Sequence, residues 1–138
     1  MNTGGFFYIF TVFGIGVMAK IISIKENHLF SKVYAKGKKV SEKNIAVYAL
    51  KNYKTPETRL GITTGKKIGS AVERSRARRL IREAYRTILK EKRFQRPYLI
   101  VVVARSAMVD PKRKMGEVLL DMEKAFSKLA LFSEDTQV

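Results

Sequence analysis

Lys66-Lys67-Ile68-Gly69-Ser70-Ala71-Val72-Glu73-Arg74-Ser75-Arg76-Ala77-Arg78-Arg79-Leu80-Ile81-Arg82-Glu83-Ala84-Tyr85-Arg86 is the stretch on which the reading of this chain turns. Ser70 with Glu73 three residues on forms a capping box, so a helix begins here. Ala77, Leu80, Ile81, Ala84, Tyr85 and Ile88 then recur at i, i+3, i+4, i+7, i+8 and i+11, one continuous apolar stripe. Arg74, Arg78, Arg82, Arg86 and Lys90 step by four residues along the next face, with Arg76 and Arg79 further round. One side of the helix is built to pack. The other stacks like charges that repel by a few tenths of a kcal/mol per pair. Two acids, Glu73 and Glu83, cannot offset them, so the row implies an anionic partner. Arg, with its planar fork of donors, suits phosphate and base faces better than Lys does.

The charge is unevenly spread along the chain. Lys66 to Arg96 carries twelve Lys and Arg against three Glu, residues 1 to 65 ten against three, and residues 97 to 138 six against six. The formal net charge of +16 over 138 residues points to a polyanion, nucleic acid or an anionic membrane surface. A hydrophobic fraction of 46% suffices for one core and argues against general disorder. With no Cys there is neither a disulfide framework nor a thiolate metal site, and the lone His28 excludes a His pair. His28 reads as a solvated helix residue.

Upstream of the basic helix, Glu26 to Lys36 reads as a short amphipathic helix with Leu29, Phe30, Val33 and Tyr34 on one face and Gly37 as its stop. On pattern alone Phe30 and Tyr34 are core residues. Val40 to Leu50 and Arg59 to Thr64 read as two antiparallel strands joined by a hairpin-type connection from Asn52 to Thr58, with room for a further short strand near Gly37 to Ser41. Downstream, Pro97 ends the helical region. Tyr98 to Ala104 is apolar without alternation and predicts a central strand buried on both faces. Asp110-Pro111 predicts the start of a last helix, with Asp110 as N-cap and Pro111 at the first helical position. Its apolar face is Met115, Val118, Leu119, Met122, Ala125, Phe126 and Leu129.

Phe6 to Ala19 is an apolar run too short for the ~20 residues of a spanning helix. With no basic residue before Phe6 it lacks the basic n-region of a signal peptide, so none is expected there. The expected organisation is an N-terminal extension over 1–17 outside the domain, one domain over 18–132, and a frayed polar tail over 133–138.

The residues Lys66 to Glu83 resemble the signature of the protein subunit of bacterial ribonuclease P, Lys-Lys-x-Gly-x-Ala-Val-x-Arg-Asn-x-x-[Lys/Arg]-Arg-x-x-Arg-Glu, without a gap. Phe30-x-x-Val33-Tyr34-x-x-Gly37 is similar to that family's first helix, and Val101-Val102-Val103-Ala104-Arg105 to its late strand. The resemblance covers roughly Ile24 to Leu131. Ser75 stands where the family usually has Asn, and Thr64-Gly65 where an apolar residue and Ser are usual.

The resemblance implies an α+β fold: a two-layer sandwich like domain 2 of ribosomal protein S5, in the order α-β-β-β-α-β-α. It carries a left-handed βαβ crossover, an exception to the right-handed rule. It further implies a cytoplasmic protein subunit of ribonuclease P that assists endonucleolytic removal of the 5′ leader of precursor tRNA. The RNA subunit is then the catalyst, and Mg²⁺ is bound mainly by that RNA and the substrate. On that reading Lys66, Lys67, Arg74, Arg76, Arg78, Arg79, Arg82 and Arg86 meet the catalytic RNA. Phe30, Tyr34, Lys36 and Tyr48 line the leader-binding cleft, which moves Phe30 and Tyr34 from the core to a partly exposed wall. No catalytic residue, protein-held metal, small-molecule substrate or stable membrane association is expected. Composition alone leaves two other readings open, a basic RNA-binding protein of ribosomal type and a membrane-surface protein using Phe6 to Ala19.

Overall fold

A computed structural model describes residues 20–133 of the chain. The elements are α1 (Asn27–Lys36), β1 (Lys38–Ser41), β2 (Ile45–Lys51), β3 (Arg59–Thr63), α2 (Ala71–Glu91), β4 (Tyr98–Ala104) and α3 (Met115–Lys128), with 3₁₀ turns at Lys66–Ile68 and Ser106–Val109. This is the expected α-β-β-β-α-β-α order. The short strand expected near Gly37 to Ser41 is β1, and the strand expected over Val40 to Leu50 starts only at Ile45, with Val40 belonging to β1.

The four strands lie in the order β1-β2-β4-β3. β4 runs antiparallel to β2 and parallel to β3, so α2 is the crossover between the parallel pair. The expected β2–β3 hairpin is therefore absent: β4 sits between the two. The physical reason is β4 itself, apolar on both faces and suited only to an interior position. Tyr98, Ile100, Val102 and Ala104 face the core under α2 and α3, while Leu99 and Val101 face α1. The connection from β2 to β3 steps over the end of β4. Asn52 organises it: its amide donates to Thr55 Oγ1 at 2.6 Å and to the Glu57 carbonyl at 2.9 Å. Its carbonyl accepts from the Lys54 and Thr55 N–H groups. At the free side of β3, Leu60 exchanges backbone hydrogen bonds with Ile22 and Ile24, which covers that edge.

α2 begins at the expected capping box, with both reciprocal bonds between Ser70 and Glu73 present. Its buried residues are the six of the apolar stripe, Ala77, Leu80, Ile81, Ala84, Tyr85 and Ile88. Tyr85 reaches a cluster of Phe94 and Phe126, and burial pushes its phenol pKa well above the usual value.

α3 departs from expectation at its start. It begins at Met115 behind Lys114, with no side-chain cap. Asp110-Pro111 instead form a turn in which Asp110 Oδ1 accepts from the Lys112 N–H at 2.9 Å. That turn is held open because Arg76 of α2 takes the carbonyls of Asp110, Pro111 and Arg113. Asp121, on the inner side of α3, is buried and accepts from the Asn44 N–H and amide at 2.9 and 2.8 Å. This pair fixes α3 to the β1–β2 turn.

Residues 1–17 lie outside the described residues, as does most of the expected tail. Its first residue, Ser133, donates its N–H to the Arg93 carbonyl at 2.7 Å.

Candidate nucleic-acid interface

α1 lies across the strands on the face opposite α2 and α3. Val33 is its buried residue. At one end Phe30 lies on Gly61 of β3, where an added Cβ would stand 2.5 Å from Phe30 Cε1. At the other end the Gly37 N–H donates to the Val33 carbonyl, and an added Cβ would stand 3.0 Å from the Ala49 carbonyl oxygen of β2. Gly37 thus has an extended conformation and a close approach, not a left-handed cap. So placed, α1 divides this face of the sheet into two flanks.

On one flank Tyr34 is 39% exposed and meets Tyr48 of β2 edge-to-face, with ring centroids 4.9 Å apart. The Tyr34 and Thr63 hydroxyls lie 2.8 Å apart, so the ring spans from β2 to β3 across β4. Lys39 Nζ of β1 sits 5.5 Å from the centre of the Tyr48 ring. The result is an aromatic wall with a cation at its rim, chemically able to stack planar rings such as unpaired bases. Phe30 is half-buried and anchors α1 next to Tyr34. Lys36 is not brought to this wall. Two residues on from Tyr34, it faces the other flank of α1.

The basic face of α2 begins where β3 ends. Arg78 donates to Thr64 Oγ1 at 2.5 Å and to Ser75 Oγ at 3.0 Å. Thr64 follows Thr63 in the chain, so the aromatic wall and the guanidinium row adjoin at the C-terminal end of β3. Thr64 and Ser75, the two positions at which a departure from the family pattern is expected, thus contact one guanidinium. Lys66 and Lys67 are exposed on the 3₁₀ turn before α2. Arg79 pairs with Glu83 at 3.4 Å. Arg82 and Arg86 are half-exposed without an acidic partner among the described residues. Arg76 differs from the rest, since its Nη1 and Nη2 donate to the three carbonyls before α3.

A sequence model described as Ribonuclease P matches residues 18–130. The chain belongs to the ribonuclease P protein family. The ribonuclease P protein component of Symbiobacterium thermophilum is 35% identical over 118 residues, covering 86% of this chain and 99% of that protein. That of Clostridioides difficile is 40% identical over 106 residues, covering 77% and 86%. Among solved structures, the RNase P protein of Staphylococcus aureus aligns with a TM-score of 0.70 at 29% identity, over 83% of this chain and all of that one. The RNase P protein of Thermotoga maritima shares the fold at a TM-score of 0.64, with 22% identity over 74% of this chain and 92% of that one. The α+β sandwich with its βαβ crossover around the basic helix is the fold of this family.

Sequence reasoning gave Lys39 and Thr63 no part in the site and marked Thr64 only as a departure from the family pattern. Their signals are weak: a Lys on an edge strand and two Thr at a strand end are ordinary until the pairing register sets them beside Tyr48, Tyr34 and Arg78. Among the described residues, no three His, Cys, Asp or Glu side chains come together as a metal cage. His28 is exposed on α1, apart from any such group. No helix among the described residues is long and apolar enough to cross a membrane.

Proposed function

We propose that this chain is the RNA-binding protein subunit of a ribonuclease P holoenzyme and works through two adjoining surfaces. The guanidinium row of α2, with Arg74, Arg78, Arg79, Arg82 and Arg86 and the preceding Lys66 and Lys67, neutralises phosphates of the catalytic RNA. The Tyr34–Tyr48 wall, with Phe30 behind it and Lys39 at its rim, stacks the unpaired bases of the precursor-tRNA 5′ leader. Stacking gives ~1–3 kcal/mol per base and tolerates any sequence, as leaders of varied sequence require. Arg76 acts differently from its neighbours: it holds the turn before α3 and so keeps α2 and α3 in register.

The observation that carries this reading is the meeting of the two surfaces at Thr63-Thr64. There one hydroxyl contacts Tyr34 and the next contacts Arg78. A strand held on the aromatic wall is thereby delivered to the edge of the surface that docks on RNA.

Cleavage belongs to the RNA partner, where Mg²⁺ held by RNA and substrate supplies the Lewis-acid chemistry. Among the described residues of this chain no three His, Cys, Asp or Glu side chains come together to hold that ion. The chain's part is to bind, to orient the leader and to screen phosphate repulsion, which lowers the Mg²⁺ needed. The location that follows is cytoplasmic. The test is reconstitution with the catalytic RNA at low Mg²⁺. Precursor-tRNA cleavage rises on adding the protein, and the protein alone cleaves nothing; no gain at any Mg²⁺ concentration refutes the proposal.

A further inference from the structure

The flank of α1 away from Tyr34 holds a second basic and aromatic surface. Tyr53, on the β2–β3 connection, is 76% exposed. The Arg96 guanidinium lies over its ring, 4.6 Å from the centroid, and leaves most of the ring open to solvent. Tyr53 is not a loose loop residue, because Asn52 beside it is buried and makes four hydrogen bonds within the connection. The ring is therefore presented in one place, already stacked on a cation on one side.

Two grooves meet at this ring and share Lys51 and Tyr53 as their common wall. One, of about 360 Å³, adds Lys32 of α1 and Lys54. The other, of about 440 Å³, adds Lys36 and Lys38. Against these cations stands Glu26 in the first groove; nearby Glu57 is taken by Arg59 at 2.7 Å. Lysines around an open aromatic face fit a phosphate backbone with unpaired bases, whereas an acidic peptide would leave the ring unused. Tyr48 and Tyr53 are five residues apart in the chain, at most about 18 Å. A strand on the Tyr34–Tyr48 wall therefore needs to span no more than that to reach Tyr53 on the other flank of α1.

We propose that the grooves beside Tyr53 bind a second unpaired segment of the RNA strand held at the Tyr34–Tyr48 wall, namely the leader's part further from the cleavage site. This rests on the leader-binding reading of that wall. Tyr53 stacks one base against the Arg96-backed ring, and Lys51, Lys54 and Lys36 hold the adjoining phosphates.

The test uses the full chain titrated with fluorescent single-stranded RNAs of about 4 and about 12 nucleotides, within the usual range of single-strand site sizes. Tyr53→Ala leaves affinity for the short RNA unchanged and weakens the long one about tenfold, the lower part of the range for one lost base stack. Tyr53→Phe binds both like the parent protein. The proposal is overturned if Tyr53→Ala matches the parent at both lengths, if it weakens both equally, or if Tyr53→Phe behaves like Tyr53→Ala. Tyr34→Ala reports on the wall separately and weakens both lengths. If it weakens neither, the leader-binding reading fails, whatever Tyr53→Ala does.

Discussion

Replacing Gly61 by Ala probes the contact on which the placement of α1 depends. The new Cβ would lie 2.5 Å from Phe30 Cε1 and 2.6 Å from Phe30 Cζ. Carbon atoms rest at about 3.5–4.0 Å, so the ring must retreat by roughly 1 Å. It cannot do so freely, because Ile24 Cδ1 closes the same space at 3.4 Å from that Cβ. Overpacking of this kind costs ~1–3 kcal/mol. Taking about 2 kcal/mol, the melting temperature falls by roughly 8 °C for a domain of this size. The clash is with the far edge of the phenyl ring, which Phe30→Leu removes. In the Phe30→Leu background Gly61→Ala should cost under about 0.5 kcal/mol, giving a coupling of about 1.5 kcal/mol. Urea midpoints of the four proteins measure this. Equal costs of Gly61→Ala in both backgrounds would refute the account of how α1 is seated. Because Tyr34 lies one turn beyond Phe30, the single variant should also weaken binding of single-stranded RNA, and Phe30→Leu should restore part of that loss.

Other perturbations follow from the same geometry. Arg76→Ala releases three carbonyls before α3; it lowers stability by about 1–2 kcal/mol and leaves the salt dependence of RNA binding unchanged. A fall in that salt slope would instead place Arg76 among the phosphate contacts. Asp121→Ala leaves the Asn44 N–H and amide buried without an acceptor and costs about 2–4 kcal/mol in denaturant unfolding. Asn44→Ala in that background adds little, since the orphaned amide is gone. Ala130 has a φ of 56° in the turn closing α3. Ala130→Gly relieves that left-handed conformation and raises the melting temperature, by about 0.5–1 kcal/mol of stability.

The parts of the fold legible in the sequence are those fixed by local pattern. The capping box at Ser70 and Glu73 set the start of α2, and 3.6-residue periodicity named its six buried side chains. The unbroken apolar run of β4 announced a strand covered on both faces. What failed was decided between distant residues. An apolar run and a polar connection made β2 and β3 look like a hairpin, and only the competition for the interior position inserts β4 between them. Asp110-Pro111 carries a sound helix-start signal, yet Arg76, far away in sequence, takes the carbonyls that would have opened the helix. Within the site, the spacing of Phe30 and Tyr34 showed that they are neighbours. Whether they faced the core or a cleft depended on Gly61 and Tyr48, which no spacing on α1 reveals. Lys36 is two residues from Tyr34, and at 100° per residue that puts it on the opposite flank of the helix.

The central claim is that two adjoining but separable surfaces serve one RNA-processing particle. The most direct measurement is the affinity of the reconstituted holoenzyme for precursor tRNAs with leaders of increasing length, alongside the salt dependence of protein binding to the catalytic RNA. The account predicts that Tyr34→Ala loses affinity progressively as the leader lengthens while its binding to the catalytic RNA is unchanged. It predicts that Arg82→Ala keeps the leader-length dependence but binds the catalytic RNA more weakly, with a salt slope reduced by about one unit. If both variants lose the same function in the same way, the two-surface account is wrong.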